Sequence, residues 1–388
     1  MKKRAFTFKT MFLMVALFVF LSGANAQDRY AVTDGNWNST STWATSSGGS
    51  PGASVPSSAS EVYIMDGIDV TVTADASCAS ITFPEDDATL TVNPGITLTV
   101  SGAVTLDNQS YSSTDCQING GGSLHCSSVS VGSGTNPGSN NRTYDHIFYS
   151  SVNEFVISGS LNINSYIGNR TSRRGNGSFY LSEGMVSVGN TVATNNENGV
   201  NTSVFSMAQS PATGTLVLYG AAPFSLSGTG TSNLIADGSN TTVIYARSGA
   251  QNVQALTYTN LVIDGGSTKT ILNDITINGV LNLSNGNLSL GSGADNITLS
   301  SGASVSTPAS FDNSHMIVCD GSGSLVKEGS LASDLITTYP VGTGSLYTPF
   351  TITDLTASVS GTASVAVRAV ASTAPGPPAA AETNLAKY

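Results

Sequence analysis

Residues 275–299 read ITINGVLNLSNGNLSLGSGADNITL, in which short triplets with apolar ends alternate with turns rich in Gly, Asn and Ser. The triplets are Ile275-Thr276-Ile277, Leu281-Asn282-Leu283, Leu288-Ser289-Leu290 and Ile297-Thr298-Leu299, and Leu261-Val262-Ile263 precedes them. Successive side chains of a strand point to opposite faces, so each triplet places its two outer residues on one face. Such short strands at short intervals suit a parallel β-helix, in which every coil stacks on the next.

A second stretch, far from the first, gives nearly the same repeat length. Three steps of triplet and turn lead from Ile275 to Ile297, and three such steps also lead from Ile81 to Val104. The two repeats differ in length by only one position. This agreement predicts an all-β fold, a right-handed parallel β-helix over residues 61–325. We expect the outer residues of each triplet, such as Ile277, to face inward.

The two ends of the mature chain differ from the repeats. Trp37 and Trp43 lie in residues 27–60, which we interpret as a capping segment, since an open β-helix end exposes apolar side chains and strand edges. Carbohydrate stacking on these two tryptophans is the alternative. From residue 326 prolines interrupt the pattern, and residues 326–388 are predicted to form a short antiparallel β module with a Pro/Ala-rich linker.

The first 26 residues have the three parts of an export signal. Lys2, Lys3, Arg4 and Lys9 form a basic start, an apolar run covers residues 11–21, and Ala24-Asn25-Ala26 supplies the small residues of a cleavage site. The apolar run is shorter than the roughly 20 residues that a membrane-spanning helix needs. We therefore expect cleavage after Ala26 and a location outside the cell or on its outer surface, without a transmembrane segment.

The charge of the mature chain excludes nucleic acid as a partner. Removal of residues 1–26 leaves 10 basic and 25 acidic residues, a net charge of −15. Such a chain attracts neither nucleic acid nor an anionic membrane surface. Only 10% of residues are charged, against roughly 25% in ordinary soluble domains. Ser, Thr, Asn and Gly are expected to cover the surface instead.

The cysteines and the main acidic run give weak signals. Cys78 and Cys126 are followed by similar sequences and are predicted to stack inside the helix two coils apart, too far for a disulfide. A disulfide between Cys116 and Cys126 is an open alternative, because export permits it. Glu85-Asp86-Asp87 could contribute to a calcium site, although one acidic run lacks the six or more oxygens that calcium takes, which favours a solvated turn. No other cofactor is indicated.

The sequence resembles the repeats of large bacterial surface proteins. The resemblance rests on residues 249–253, 258–263, 266–270 and 278–281 and on the segments 316–327 and 339–342. Such adhesin-like proteins are commonly exported by the type IX secretion system. The resemblance implies a secreted cell-surface protein whose partners are the export machinery and extracellular glycans or proteins. Such proteins usually continue to a C-terminal sorting domain, so we expect further β modules after Tyr388.

Binding residues are expected mainly in the less regular middle of the chain, residues 132–214, where loops leave a rigid scaffold. Arg170, Arg173 and Arg174 form its basic cluster, which could recognise a carboxylated sugar or lie in an exposed loop. The sequence shows no acid–base pair or nucleophile motif of a known kind. It therefore predicts an adhesin-like, non-catalytic module. A glycan-binding module, or a polysaccharide lyase or hydrolase on a β-helix, are the alternatives.

Overall fold

The computed structural model describes residues 27–84, 86–106, 114–132, 143–167, 174–196, 202–229, 231–344, 346–355 and 363–371. The fold is all-β, with 52% of residues in strands and 2% in helices. In the part of the chain that the structure describes, short 3-10 helices occur at Thr40–Thr42 and Ala332–Leu335. Among the described residues, no helix combines the length and the apolar character that a membrane span requires.

Short strands fill the N-terminal coils. Their bounds are β1 Arg29–Ala31, β2 Gly35–Asn36, β3 Trp43–Ala44, β4 Glu61–Ile64, β5 Asp69–Val72, β6 Ala76–Cys78, β7 Ser80–Phe83, β8 Ala88–Val92, β9 Thr97–Val100 and β10 Ala103–Leu106. Longer strands follow in the middle coils. Their bounds are β11 Thr114–Cys126, β12 Ser128–Val131, β13 Thr143–Ile157, β14 Leu161–Ile167, β15 Arg174–Leu181, β16 Met185–Val188, β17 Val192–Asn196, β18 Thr202–Ser206, β19 Thr215–Leu218, β20 Phe224–Gly228, β21 Thr231–Ile235 and β22 Thr242–Tyr245.

The C-terminal coils return to short strands. Their bounds are β23 Gln251–Val253, β24 Thr257–Tyr258, β25 Asn260–Ile263, β26 Lys269–Ile271, β27 Ile275–Ile277, β28 Val280–Leu283, β29 Leu288–Ser289, β30 Ile297–Leu299, β31 Ser304–Ser306, β32 Ile317–Val318, β33 Leu325–Gly329, β34 Thr338–Tyr339, β35 Val341–Thr343, β36 Leu346–Tyr347, β37 Phe350–Thr351 and β38 Ala363–Val367.

Parallel pairing between successive coils builds the predicted β-helix with three faces. In the N-terminal and middle coils the first face contains β4, β7, β10, β12, β14, β17 and β20. The second face contains β5, β8, the first part of β11 and of β13, β15, β18 and β21. The third face runs from β6 and β9 through the last parts of β11 and β13 to β16, β19, β22, β25, β28 and β31.

Inward side chains form continuous apolar columns, because strands in register place the same position of each coil above the last. On the third face one column begins at Cys78 and Val100. It continues through Cys126, Ile157, Val188, Leu218, Tyr245, Ile263 and Leu283. All of these side chains are buried. The prediction that Cys78 and Cys126 share one position two coils apart is confirmed, as is the inward direction of Ile277 and Leu283.

The predicted coil length holds where it was counted and fails elsewhere. Ile275 pairs with Ile297, and Ile81 pairs with Val104, so both counted stretches are single coils. The middle coils are longer: Val129 pairs with Leu161, so that this coil takes up nearly half as much chain again. The coil from Val243 to Leu261 is shorter than both counted coils. Interior columns constrain the register of the strands, whereas the length of chain from one inward position to the same position of the next coil varies.

Asp and Asn side chains connect the turns of successive coils. At each such turn a side-chain oxygen accepts the backbone N–H of a residue one coil further on. The pairs run from Asp34 to Asp69, Asp75 to Thr97, Asn176 to Thr202, Asn260 to Val280, Asp274 to Asn296, Asn287 to Met316 and Asn296 to Ser324, at 2.6–3.1 Å. These bonds satisfy amides that leave the strand ladders, and they explain why the turns are rich in Asn and Asp.

The parallel stack extends beyond the predicted range of 61–325 at both ends. β1 already pairs in parallel with β4, so part of the capping segment is the first strand of the helix. At the other end β35 pairs in parallel with β32. Pro340 fits there because it precedes β35 and needs only its carbonyl, which accepts the N–H of Ile317 at 2.8 Å. Antiparallel strands do follow: β38 lies beside β33, and β36 and β37 pair with β35 and β34.

Candidate functional site

The two tryptophans lie inside the N-terminal end of the helix. Trp37 is 1% exposed and Trp43 0%, and their rings meet edge to face at a centroid distance of 5.2 Å. The indole Nε1 of Trp43 donates to the Trp37 carbonyl oxygen at 2.8 Å. A sugar ring cannot stack on side chains that are buried in this way. The capping interpretation fits, and the alternative that Trp37 and Trp43 bind a carbohydrate is wrong.

The side chains of the basic cluster all lie outside what the structure describes. Arg170 and Arg173 lie outside the described residues, and Arg174 is placed only as the first backbone position of β15. Of the loops 132–144 and 190–201, residues 133–142 and 197–201 also lie outside the described residues. The expected binding of a carboxylated sugar by these arginines therefore stays a prediction.

All four cysteines are buried thiols, so the alternative of a Cys116–Cys126 disulfide is wrong. Cys116 is near the start of β11 on the second face, and Cys126 ends the same strand on the third face. Burial raises the pKa of Cys78, Cys116 and Cys126 to about 12. Because only the thiolate is a good nucleophile or metal ligand, these three thiols are packing residues.

Glu85 of the acidic run lies outside the described residues, whereas Asp86 and Asp87 lie beside a carboxylate of the next coil, Asp115. One carboxylate oxygen each of Asp86, Asp87 and Asp115 lies within 4.8 Å of the others. Asp86 Oδ1 also accepts the backbone N–H of Asp115 at 2.6 Å, which is the turn-to-turn bond seen elsewhere in the helix. Partial burial first, then a hydrogen bond with Asp87 and the two neighbouring charges, raises the pKa of Asp115. With one oxygen from each, the three carboxylates could contribute to a cation site but supply only half of the six or more oxygens that calcium takes.

The long strands β11 and β13 pass from the second face to the third as continuous strands, and glycines stand at this corner in β11 and, one coil after β13, between β15 and β16. Gly120 has φ 108° and Gly184 has φ 72°, a region that favours glycine. A Cβ on Gly120 would stand 2.2 Å from the Val92 carbonyl oxygen, and one on Gly184 2.0 Å from that of Val152. The coils therefore approach closely at Gly120 and Gly184.

A cleft of about 520 Å³ occupies the outside of this corner, and we call it the corner cleft. Its polar side chains come from three successive coils: Gln117, Asn119, Ser151, Asn153 and Glu183. The Thr91 hydroxyl donates to Asn119 Oδ1 at 2.6 Å, which fixes the orientation of that amide. The cleft thus presents amides, a hydroxyl and a carboxylate at fixed positions on a rigid sheet.

A second cleft of about 240 Å³ adjoins the first, and we call it the tyrosine cleft. It is lined by Asp87, Ala88, Thr89, Asp115, Cys116, Gln117 and Tyr149, so Gln117 belongs to both clefts. Tyr149 packs against Tyr180 of the next coil, with ring centroids 5.3 Å apart. Partial burial, and then the charge of Asp115, raises the pKa of Tyr149, which therefore stays a neutral phenol at physiological pH.

Sequence reasoning missed both clefts. The outward alternation of Gln117 and Asn119 on β11 with Tyr149, Ser151 and Asn153 on β13 was visible in the sequence. Their alignment was not, because it depends on the unequal lengths of the middle coils. Comparison with protein-family models, with curated proteins and with solved structures gave no match.

Proposed function

We propose that this protein is an exported, adhesin-like cell-surface module without catalytic activity, in which a rigid β-helix presents a polar binding surface. One observation carries the proposal: parallel pairing is continuous along the third face from β6 to β31. With a rise of about 4.8 Å per coil, its ten strands span roughly 43 Å. Such a stack holds surface residues at fixed spacing, which suits presentation to a partner. The export signal and the resemblance to surface proteins support the same function.

Cell fractionation tests the location. We expect the protein on the outer surface, starting at Gln27, and accessible to protease added to intact cells. Intact-mass measurement checks the cleavage site, and cells without the gene should adhere less to extracellular glycans or proteins. Protein that stays in the cytoplasm with residues 1–26 attached would contradict the proposal.

The acidic cluster supplies the sharpest test of the non-catalytic part. A carboxyl with a raised pKa beside a second carboxyl in a cleft is also a pattern found in active sites. We expect no release of reducing ends from neutral or acidic polysaccharides. Cleavage that is abolished in Asp115→Asn would contradict this part of the proposal and favour a β-helix hydrolase or lyase.

A further inference from the structure

The corner cleft and the tyrosine cleft together form one binding surface on the second face. They share Gln117, and their side chains occupy the outward positions of neighbouring strands in register: Gln117 pairs with Tyr149, and Asn119 with Ser151. Tyr149 in turn pairs with Tyr180. The surface therefore repeats from coil to coil at about 4.8 Å, a spacing comparable with the length of one sugar unit.

The polar side chains of this surface match the chemistry of sugar hydroxyls. A hydroxyl both donates and accepts, and a side-chain amide offers both functions from one plane. Gln117, Asn119 and Asn153 supply three amides, and Glu183 supplies an acceptor. Because Thr91 donates to Asn119 Oδ1, the Nδ2 of that amide serves as a donor. The side-chain amide of Asn119 is therefore oriented in the absence of a ligand, which reduces the entropy cost of binding.

Tyr149 adds an apolar contact at the edge of this polar set. Tyr180 packs on one side of its ring, while the phenol also bounds the tyrosine cleft beside Gln117 and Asp115. An aromatic ring with a polar tip suits a ligand that is apolar on one face and polar at its rim. A sugar ring has that character.

Other classes of ligand fit this surface less well. The part of β11 that lines the clefts pairs with β8 and with β13, so its backbone is not available for strand addition by a peptide. The described lining residues include the carboxylates of Asp87, Asp115 and Glu183 and no Lys or Arg. Anionic polysaccharides are therefore repelled.

From this geometry we propose that the two clefts bind a neutral oligosaccharide, with Tyr149 stacking on a sugar ring and Gln117, Asn119 and Asn153 bonding to its hydroxyls. The proposal rests on the proposed function and names the ligand class of the adhesive surface.

Isothermal titration calorimetry of the full mature chain tests the proposal. The probes are neutral hexasaccharides of β-1,4-glucose, β-1,3-glucose, mannose and N-acetylglucosamine, together with hexagalacturonate and hexalysine. We expect binding of at least one neutral probe. Tyr149→Ala should weaken it about tenfold, since an aromatic contact contributes about 1.4 kcal/mol. Tyr149→Phe keeps the ring and should bind nearly as well, and Asn153→Ala should weaken binding.

Tyr219→Ala is the matched control, because Tyr219 is 47% exposed and does not line either cleft. It should leave affinity unchanged, and thermal melting should show that all variants are folded. Equal affinity of Tyr149→Ala, Asn153→Ala and the parent would overturn the assigned site. Preference for hexagalacturonate or hexalysine, or no binding of any neutral probe, would overturn the ligand class. The adhesive function itself is judged separately, by surface exposure and cell adherence.

Discussion

The C-terminal coils around β25–β30 and the middle coils around β13–β21 use the same pairing but differ in what they enclose. Leu261 pairs with Leu281 in a short coil, and the strands between them bury mostly Ile and Leu. In the middle, the coil in which Leu161 pairs with Val192 takes up about half as much chain again. There the inward positions include Ser165, Thr194 and Asn196 as well as apolar residues.

The wider middle coils are held partly by hydrogen bonds across their interior. The Ser165 hydroxyl donates to Asn196 Oδ1 at 3.2 Å, and Asn196 Nδ2 donates to Ser232 Oγ at 2.6 Å. Thr194 Oγ1 also bonds to Ser232 Oγ, at 2.9 Å. These bonds join β14 and β17 to β21 on the opposite face. Short coils can thus rely on apolar columns, whereas wide coils also use polar contacts between their faces and have clefts on their outer surface.

The largest effect is expected in the apolar interior of the C-terminal coils. Ile277 is buried between Tyr258 and Leu299 of the neighbouring coils. Ile277→Asp places a charge there, and we expect a loss of about 5 kcal/mol or more in the free energy of unfolding. Hydrogen exchange read by mass spectrometry should show lost protection in β24, β27 and β30.

Thr276→Asp is the matched control, because Thr276 is the outward neighbour on the same strand. It should change the free energy of unfolding by less than about 1 kcal/mol. Equal loss of protection in the two variants would mean that β27 does not face inward as described.

A buried lysine provides the next test of the C-terminal coils. Lys269 occupies an inward position, and its Nζ donates to the carbonyl oxygens of Arg247, Gly249 and Gly266 at 2.5–3.2 Å. Lys269→Met keeps the aliphatic stem but leaves three carbonyls without this donor. We expect a loss of about 3 kcal/mol, measured by urea unfolding, and little change for Thr270→Ala on the outward side. A stable Lys269→Met variant would show that water replaces the ammonium group.

The sequence predicted the C-terminal region well because side-chain alternation reports directly which residues face inward. Ile275, Ile277, Leu281 and Leu283 are all buried as expected. It gave no prediction for the buried Lys269, because the carbonyls that bind it come partly from turns of the preceding coil. It failed for the clefts for a related reason. Whether Asp115 lies beside Asp86 depends on how much chain the intervening turns take up.

A pH effect should distinguish the middle coils from the C-terminal ones. His146 is buried in β13, and burial lowers its pKa from 6.5 to about 4, with a smaller opposing effect of Asp145. Between these values the unfolded chain binds a proton that the folded chain does not, so stability falls as pH drops from 6.5 to 4. Both proteins lose free energy of unfolding between pH 7.5 and 4.5. We expect His146→Gln to lose about 2 kcal/mol less than the parent.

Urea unfolding of the parent and of His146→Gln at several pH values measures this difference. Carboxylates that titrate in the same range are common to both proteins and cancel in the comparison. Below pH 4 the folded histidine is also protonated. There the free energy of unfolding should change with pH at the same rate in the parent and in the variant. Identical slopes between pH 6.5 and 4.5 would contradict the assigned environment of His146.

The smallest effect should have opposite signs at two serines of the middle coils. Ser150 is 0% exposed, and its hydroxyl has no hydrogen-bond partner among the described residues, although it lies in an inward column between Ile118 and Leu181. Ser150→Ala removes this unsatisfied group, so the variant should be more stable by about 1 kcal/mol. Ser165→Ala removes a hydroxyl that donates to Asn196 Oδ1, so it should be less stable by about the same amount. Both substitutions delete one oxygen from a buried serine, so the change in volume cancels and only the bonding differs. Thermal melting of the two variants side by side measures the two effects. A shift of both melting temperatures in the same direction would contradict a middle interior that is held by specific hydrogen bonds.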